Sequence, residues 1–97
     1  MSAGFEFLAE ASRDAEEATI YYEGCVTGLG ARLELERVCT AIIRHPLLWR
    51  ERPGGYRRVN IPGFPYYVAY IIRDARIVVT AVGHGSRHPD YWKQRKG

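Results

Sequence analysis

Five side chains in the second half of this 97-residue chain could do acid–base or phosphate chemistry: Arg58, His84, Arg87, His88 and Tyr91. Imidazole changes charge near neutral pH, and guanidinium offers a permanent fork for phosphate or carboxylate. The set therefore has the parts for cleaving a phosphodiester or for gripping an acidic surface. His84 and His88 stand four apart, as metal ligands on a helix would, but Gly85 and Pro89 argue against a helix there. No carboxylate or cysteine cluster flanks them, so neither a metal site nor a cofactor is expected. Gly83-His84-Gly85 is no phosphate loop, because no helix N-terminus follows it. Arg57 and Arg58 point to opposite faces of one strand, and Arg58 shares the more polar face with Tyr56 and Asn60. The five candidates are expected to gather at one end of an open sheet face. Tyr91 and Trp92 are expected to dock a terminal segment onto the core.

The charges behind these residues are unevenly distributed. Residues 1–48 carry four basic and eight acidic side chains, and residues 49–97 carry ten basic and three acidic ones. Twelve of the fourteen bases are arginine. A front half at −4 and a back half at +7 suggest a surface for an acidic partner or for nucleic acid. With 46% apolar and 26% charged residues the chain has a globular rather than a disordered composition. Its longest apolar run, Phe64 to Ile72, is about half a membrane span. Residues 1–10 have neither the positive region nor the apolar run of a secretory signal, so a cytoplasmic location is expected. Cys25 and Cys39 are too sparse for a disulfide scaffold or a zinc site and read as free thiols, Cys39 in a helix core.

These residues need elements to position them. Phe5 to Leu8 alternates and reads as a short strand. Ala11, Ala15, Ala18 and Tyr22 make one face of a helix from about Ala9 to Glu23, with Arg13, Glu16 and Glu17 outside and Gly24 as the stop. Ala31, Leu35, Val38 and Ile42 make the buried stripe of a second helix from about Leu29 to Arg44, with Leu33 and Cys39 beside it. His45 and Pro46 end that helix, and the short connection before it implies a helical hairpin. Trp49, in the loop that follows, reads as a lid on the core or as an exposed anchor. After Pro46 the period changes to two. Tyr56–Ile61, Tyr66–Arg73 and Arg76–His84 read as strands joined by turns at Pro62-Gly63 and Asp74-Ala75, an antiparallel meander. Residues 1–97 thus form one domain, with 86–97 expected as an irregular basic tail. The expected fold is α+β, β-α-α-β-β-β, with the hairpin packed on one face of an antiparallel sheet. The last two strands are apolar on both faces, so the second face is expected to be covered by a companion.

Read together, the motifs resemble the RelE/ParE superfamily of type II toxin–antitoxin toxins, from Phe5 to about Trp92. The resemblance rests on Tyr21-Tyr22-Glu23, Gly28-Leu29-Gly30, His45-Pro46, Tyr56-Arg57-Arg58, Phe64-Pro65-Tyr66 and the run from Ile77 to Trp92. It implies the same β-α-α-β-β-β fold and an antitoxin whose acidic C-terminal segment wraps the toxin. It implies one of two activities. RelE-like members are ribosome-dependent endoribonucleases that cut messenger RNA; ParE-like members poison DNA gyrase and are not known as nucleases. Cleavage by 2′-OH attack needs a base, a cation opposite the phosphorane and an acid for the leaving oxygen. Arg58, His84, Arg87, His88 and Tyr91 could supply some of these. The strand arginine of the nucleases, however, falls at about Tyr67, and a phenol cannot carry that charge. That substitution, with the Phe-Pro-Tyr entry, places the chain on the ParE-like, plasmid-stabilisation side of the superfamily.

Overall fold

The computed structural model describes residues 4–25 and 28–95, apart from the side chains of residues 22–25, 28, 29 and 90. The elements in order are β1 (Gly4–Phe7), α1 (Ala9–Cys25), α2 (Gly28–Arg44), β2 (Arg57–Asn60), β3 (Tyr66–Arg73), β4 (Arg76–His84) and α3 (Asp90–Lys93). The sheet order is β1-β4-β3-β2. Strands β2, β3 and β4 form the antiparallel meander expected from the turns. The sheet is nevertheless mixed rather than wholly antiparallel, because β1 joins the far edge of β4 in parallel. The helical hairpin supplies the crossover that a parallel neighbour requires, which two-residue turns cannot provide.

The connections follow their residue types. Phe64 N–H donates to the Ile61 carbonyl across Pro62-Gly63, with Gly63 at φ +81°, the geometry of a type II turn. Asp74 and Ala75 both take positive φ in the two-residue link between β3 and β4, as a type I′ hairpin demands. Gly24 does not end the first helix. It lies within α1, where a glycine costs only about 1 kcal/mol relative to alanine.

The main core lies between the hairpin and one sheet face. Ala11, Val38 and Ile42 from the helices meet Val68, Tyr70, Ile77, Val79 and Val82 from the strands. The helical stripes are therefore those set by the sequence period, although Leu33 is largely exposed rather than buried beside its stripe. Trp49 packs against this core and acts as its lid. Two bonds fix the long connection from α2 to β2: Tyr70 Oη donates to the Pro46 carbonyl at 2.6 Å, and Arg57 Nη1 donates to the Trp49 carbonyl at 2.6 Å.

The opposite sheet face carries a second, smaller core built by the chain itself. Tyr56, Tyr67, Ala69 and Ala81 pack with Trp92 from α3, and Ile71 and Tyr91 lie against them. Residues 86–97 were expected to be irregular; within the described part, up to Arg95, Asp90–Lys93 makes a helical turn whose Trp92 is 2% exposed. One turn of helix is too short to show a period, so only the aromatic pair signalled it. The companion expected over this face is thus replaced, over part of it, by the protein's own C-terminal turn. Among the described residues no helix is long and apolar enough to cross a membrane.

Candidate functional site

A register shift in β4 shapes the region where the candidate residues lie. Ala69 pairs with Ala81 and Tyr70 with Val79, which leaves Thr80 as the extra residue of a β-bulge. The bulge turns Ala81 to the Trp92 face and Val82 to the hairpin face. Beyond Val79, β4 has also outrun β1, so its edge has no strand partner on that side. Side chains close that edge instead. The Asp14 carboxylate accepts the Val82 N–H at 3.2 Å and Arg95 Nη1 at 2.6 Å, and the same Arg95 nitrogen donates to the Thr80 carbonyl at 3.0 Å.

His84, Arg87 and Tyr91 meet in a cleft of about 180 Å³ beside this closed edge, with Asp14, Glu17, Ala18, Tyr21, Tyr66 and Val82 as the other walls. His84, Arg87 and Tyr91 are three of the five residues expected to gather; their cleft lies against α1, while Tyr91 also packs on the sheet face that carries Trp92. Ser86 donates its backbone N–H to His84 Nδ1 at 3.1 Å, with its Oγ 2.7 Å from the same nitrogen. The His84 ring also meets Tyr66 edge to face at 5.0 Å. The Arg87 guanidinium lies 3.9 Å over the Tyr91 ring, and that of Arg95 approaches the same ring at 5.7 Å.

Arg58 and His88 are not in this cleft. His88 is exposed in the turn after β4. Arg58 lies on the opposite sheet face, its guanidinium 4.0 Å over the Tyr67 ring, whereas Arg57 turns towards Trp49 and Glu51 as strand alternation requires. Tyr67 itself is a structural residue. It is 1% exposed, its hydroxyl accepts the Trp92 indole N–H at 2.7 Å, and its ring lies across Gly83, where no Cβ would fit. Burial raises its pKa, so the phenol stays neutral. The closed β4 edge and the Asp14–Arg95 pair were missed by sequence reasoning. Their partners are 81 positions apart, and an acid and a base at that separation carry no local signal.

Among the described residues no group of three or more His, Cys, Asp or Glu is placed to hold a metal ion. Cys39 is a free, half-buried thiol whose pKa is pushed up to about 11, first by burial and then by Glu36. Cys25 lies outside the described side chains.

What the cleft offers is an imidazole and one guanidinium stacked on a tyrosine ring, bounded by the acids of α1. It is a surface suited to recognition, carried on a helical hairpin and a bulged sheet. The same architecture recurs in a solved structure from the chromosomal ParDE TA system of P. aeruginosa. That structure matches at a TM-score of 0.65 and 12% identity, covering 86% of this chain and 96% of that one. The fold is that of the RelE/ParE toxins. Residues 5–89 further match the family described as the ParE toxin of the type II toxin–antitoxin system parDE, and the chain belongs to that family. No curated protein matches it.

Proposed function

We propose that the chain is a toxin that arrests DNA gyrase by protein contact and is silenced by a cognate antitoxin with an acidic C-terminal segment. The observation that carries this reading is the burial of Tyr67. The position where the RelE-like nucleases place a strand arginine is occupied by a neutral phenol sealed beneath Trp92. The middle strand itself supplies no cation there: its phenol is buried, and the nearby Arg58 guanidinium comes from β2 and stacks 4.0 Å over the Tyr67 ring. The cleft beside α1 adds to the argument, since Asp14 and Glu17 share it with His84 and Arg87 and oppose an RNA backbone.

Several exposed apolar side chains support an antitoxin of large footprint: Ile20, Tyr21 and Leu33 on the hairpin, and Leu47, Leu48 and Ile72 near the far end of the sheet. An added strand would join β1 or β2, the two outer strands, because Asp14 and Arg95 already close the edge of β4 that β1 leaves uncovered. The site of action is then the cytoplasm, in a module of the plasmid-stabilisation type.

The second reading, a ribosome-dependent messenger endoribonuclease, is favoured by one observation. His84, Arg87 and Tyr91 line one cleft, so an imidazole, a guanidinium and a phenol stand together there. Growth arrest on expression alone, cured by the adjacent reading frame, tests the toxin–antitoxin reading. Primer extension on messenger from arrested cells tests the mechanism: intact messenger is expected, and discrete cleavage at the ribosomal decoding site would establish the nuclease instead.

A further inference from the structure

The sheet face opposite the hairpin is not wholly filled by Trp92. Between the end of β3 and α3 lies a recess of about 350 Å³, walled by Tyr56, Ile71, Thr80 and Trp92 and rimmed by Arg73, Lys93 and Arg95. Among the described residues no carboxylate lines it. Gly54 and Gly55, both at positive φ, form its remaining wall and keep that side free of side chains. Through Gly55, Ile71 and Ile72 the recess continues into a second one of about 170 Å³, where Leu47, Glu51 and Arg57 stand. Leu47 is 70% and Ile72 39% exposed. The two recesses form one polarised groove, aliphatic at the Leu47 end and cationic at the Lys93 end.

We propose that this groove binds an extended peptide of the antitoxin in which aliphatic residues are followed or preceded by aspartate or glutamate. The inference rests on the toxin–antitoxin reading above and deepens it by assigning a face and a peptide chemistry. Charge and surface chemistry choose the occupant. Arg73 and Lys93 on the rim call for an acidic ligand, Arg95 being already paired with Asp14, and the aliphatic strip beside them calls for branched side chains in the same segment. Nucleic acid fits less well. The Tyr56 and Trp92 rings are packed edge to face at 4.8 Å and buried, so no ring face is left for a base to stack on. Glu51 at the other end would also repel a phosphate backbone. A disordered acidic tail that orders on contact can follow such a groove without a preformed shape of its own.

The test uses the full-length antitoxin of the adjacent reading frame and measures its affinity for the folded toxin by calorimetry. Lys93→Glu and, separately, Ile72→Glu are compared with Arg13→Glu, an exposed charge reversal on α1 outside the groove. Each groove variant is expected to weaken binding about tenfold or more, with Arg13→Glu close to wild type and all three retaining the wild-type melting transition. If wild type binds and both groove variants bind equally well, the inference is overturned while the toxin–antitoxin reading stands. Equal weakening by Arg13→Glu would reduce the effect to net charge and overturn it too. Groove variants that keep antitoxin affinity but lose growth arrest would assign the groove to the target instead. If wild type does not bind at all, the reading beneath the inference falls with it.

Discussion

Asp14 on α1 and Arg95 beyond α3 are joined at 2.6 Å around the edge of β4, each side chain about 15% exposed. The pair links the two faces of the sheet, since α1 belongs to the main core and α3 carries Trp92 into the second one. It also satisfies a backbone donor and a backbone acceptor that the bulge and the short β1 leave without strand partners. Without it, the aromatic turn would be held to the sheet mainly by the Tyr67–Trp92 bond and by packing.

Breaking the pair should therefore destabilise the whole fold. Asp14→Ala leaves Val82 N–H and a half-dry guanidinium unmatched, and a loss of about 2–4 kcal/mol is expected in urea denaturation. Arg95→Ala should cost less, about 1–2 kcal/mol, because the carboxylate keeps Val82 N–H. The double variant should lose less than the sum of the two. Simple additivity would show that the two side chains do not interact in solution.

Tyr67 and Gly83 make a second test. An added methyl at Gly83 would overlap the Tyr67 ring and hydroxyl, both of which are held in place by Trp92. Gly83→Ala is expected to lower stability by about 1–3 kcal/mol and to raise Trp92 fluorescence exposure to quenchers. Tyr67→Phe should cost about 1 kcal/mol by leaving the indole N–H unpaired. A silent Gly83→Ala would mean the ring does not lie across that backbone.

Ala75 offers a change in the opposite direction. It sits at φ +63° in the β3–β4 turn, a region that costs an L-residue about 1–2 kcal/mol and glycine almost nothing. Ala75→Gly should raise the melting temperature, with a gain of about 0.5–1 kcal/mol after the entropy of the unfolded glycine is counted. No gain would argue against a type I′ turn.

The alkaline limb of stability follows from three buried groups. The Cys39 thiol is raised from 9.0 to about 11 by burial and Glu36, and the Tyr67 and Tyr70 phenols are raised by burial. Each stays protonated in the fold after its unfolded counterpart has ionised. The unfolded chain then binds fewer protons, so stability is full below pH 9 and falls as pH rises towards 11. In a Cys25→Ser background, Cys39 should react with iodoacetamide far more slowly at pH 8 than after unfolding. Equal rates would show an accessible thiolate.

Much of this architecture was legible in the residues. The β-branched and aromatic content of Tyr66–Arg73 and Arg76–His84, bounded by turn residues, gave both strands, and Ala31, Leu35, Val38 and Ile42 gave the helical stripe, because burial on one helix face imposes a period. Other features depend on contacts far apart in the chain. The parallel docking of β1 against β4 pairs residues about 72 positions apart, Phe5 with Ile77, and no local pattern specifies it. The bulge at Thr80 interrupts a run that is apolar on both faces, so alternation could not reveal it. Among the candidate residues, His84, Arg87 and Tyr91 are close in sequence and line one cleft. Arg58, from β2, stacks on Tyr67 instead and is not among the residues of that cleft.

The central claim is that the protein acts on gyrase by contact, and purified toxin in a gyrase supercoiling reaction tests it most directly. Relaxed plasmid, gyrase and ATP are incubated with rising toxin, with and without equimolar antitoxin. The account predicts loss of supercoiled product in proportion to toxin, restored by antitoxin, and weakened in Arg87→Ala and Tyr91→Phe, which alter the cleft. Full supercoiling at toxin concentrations that arrest growth would contradict it.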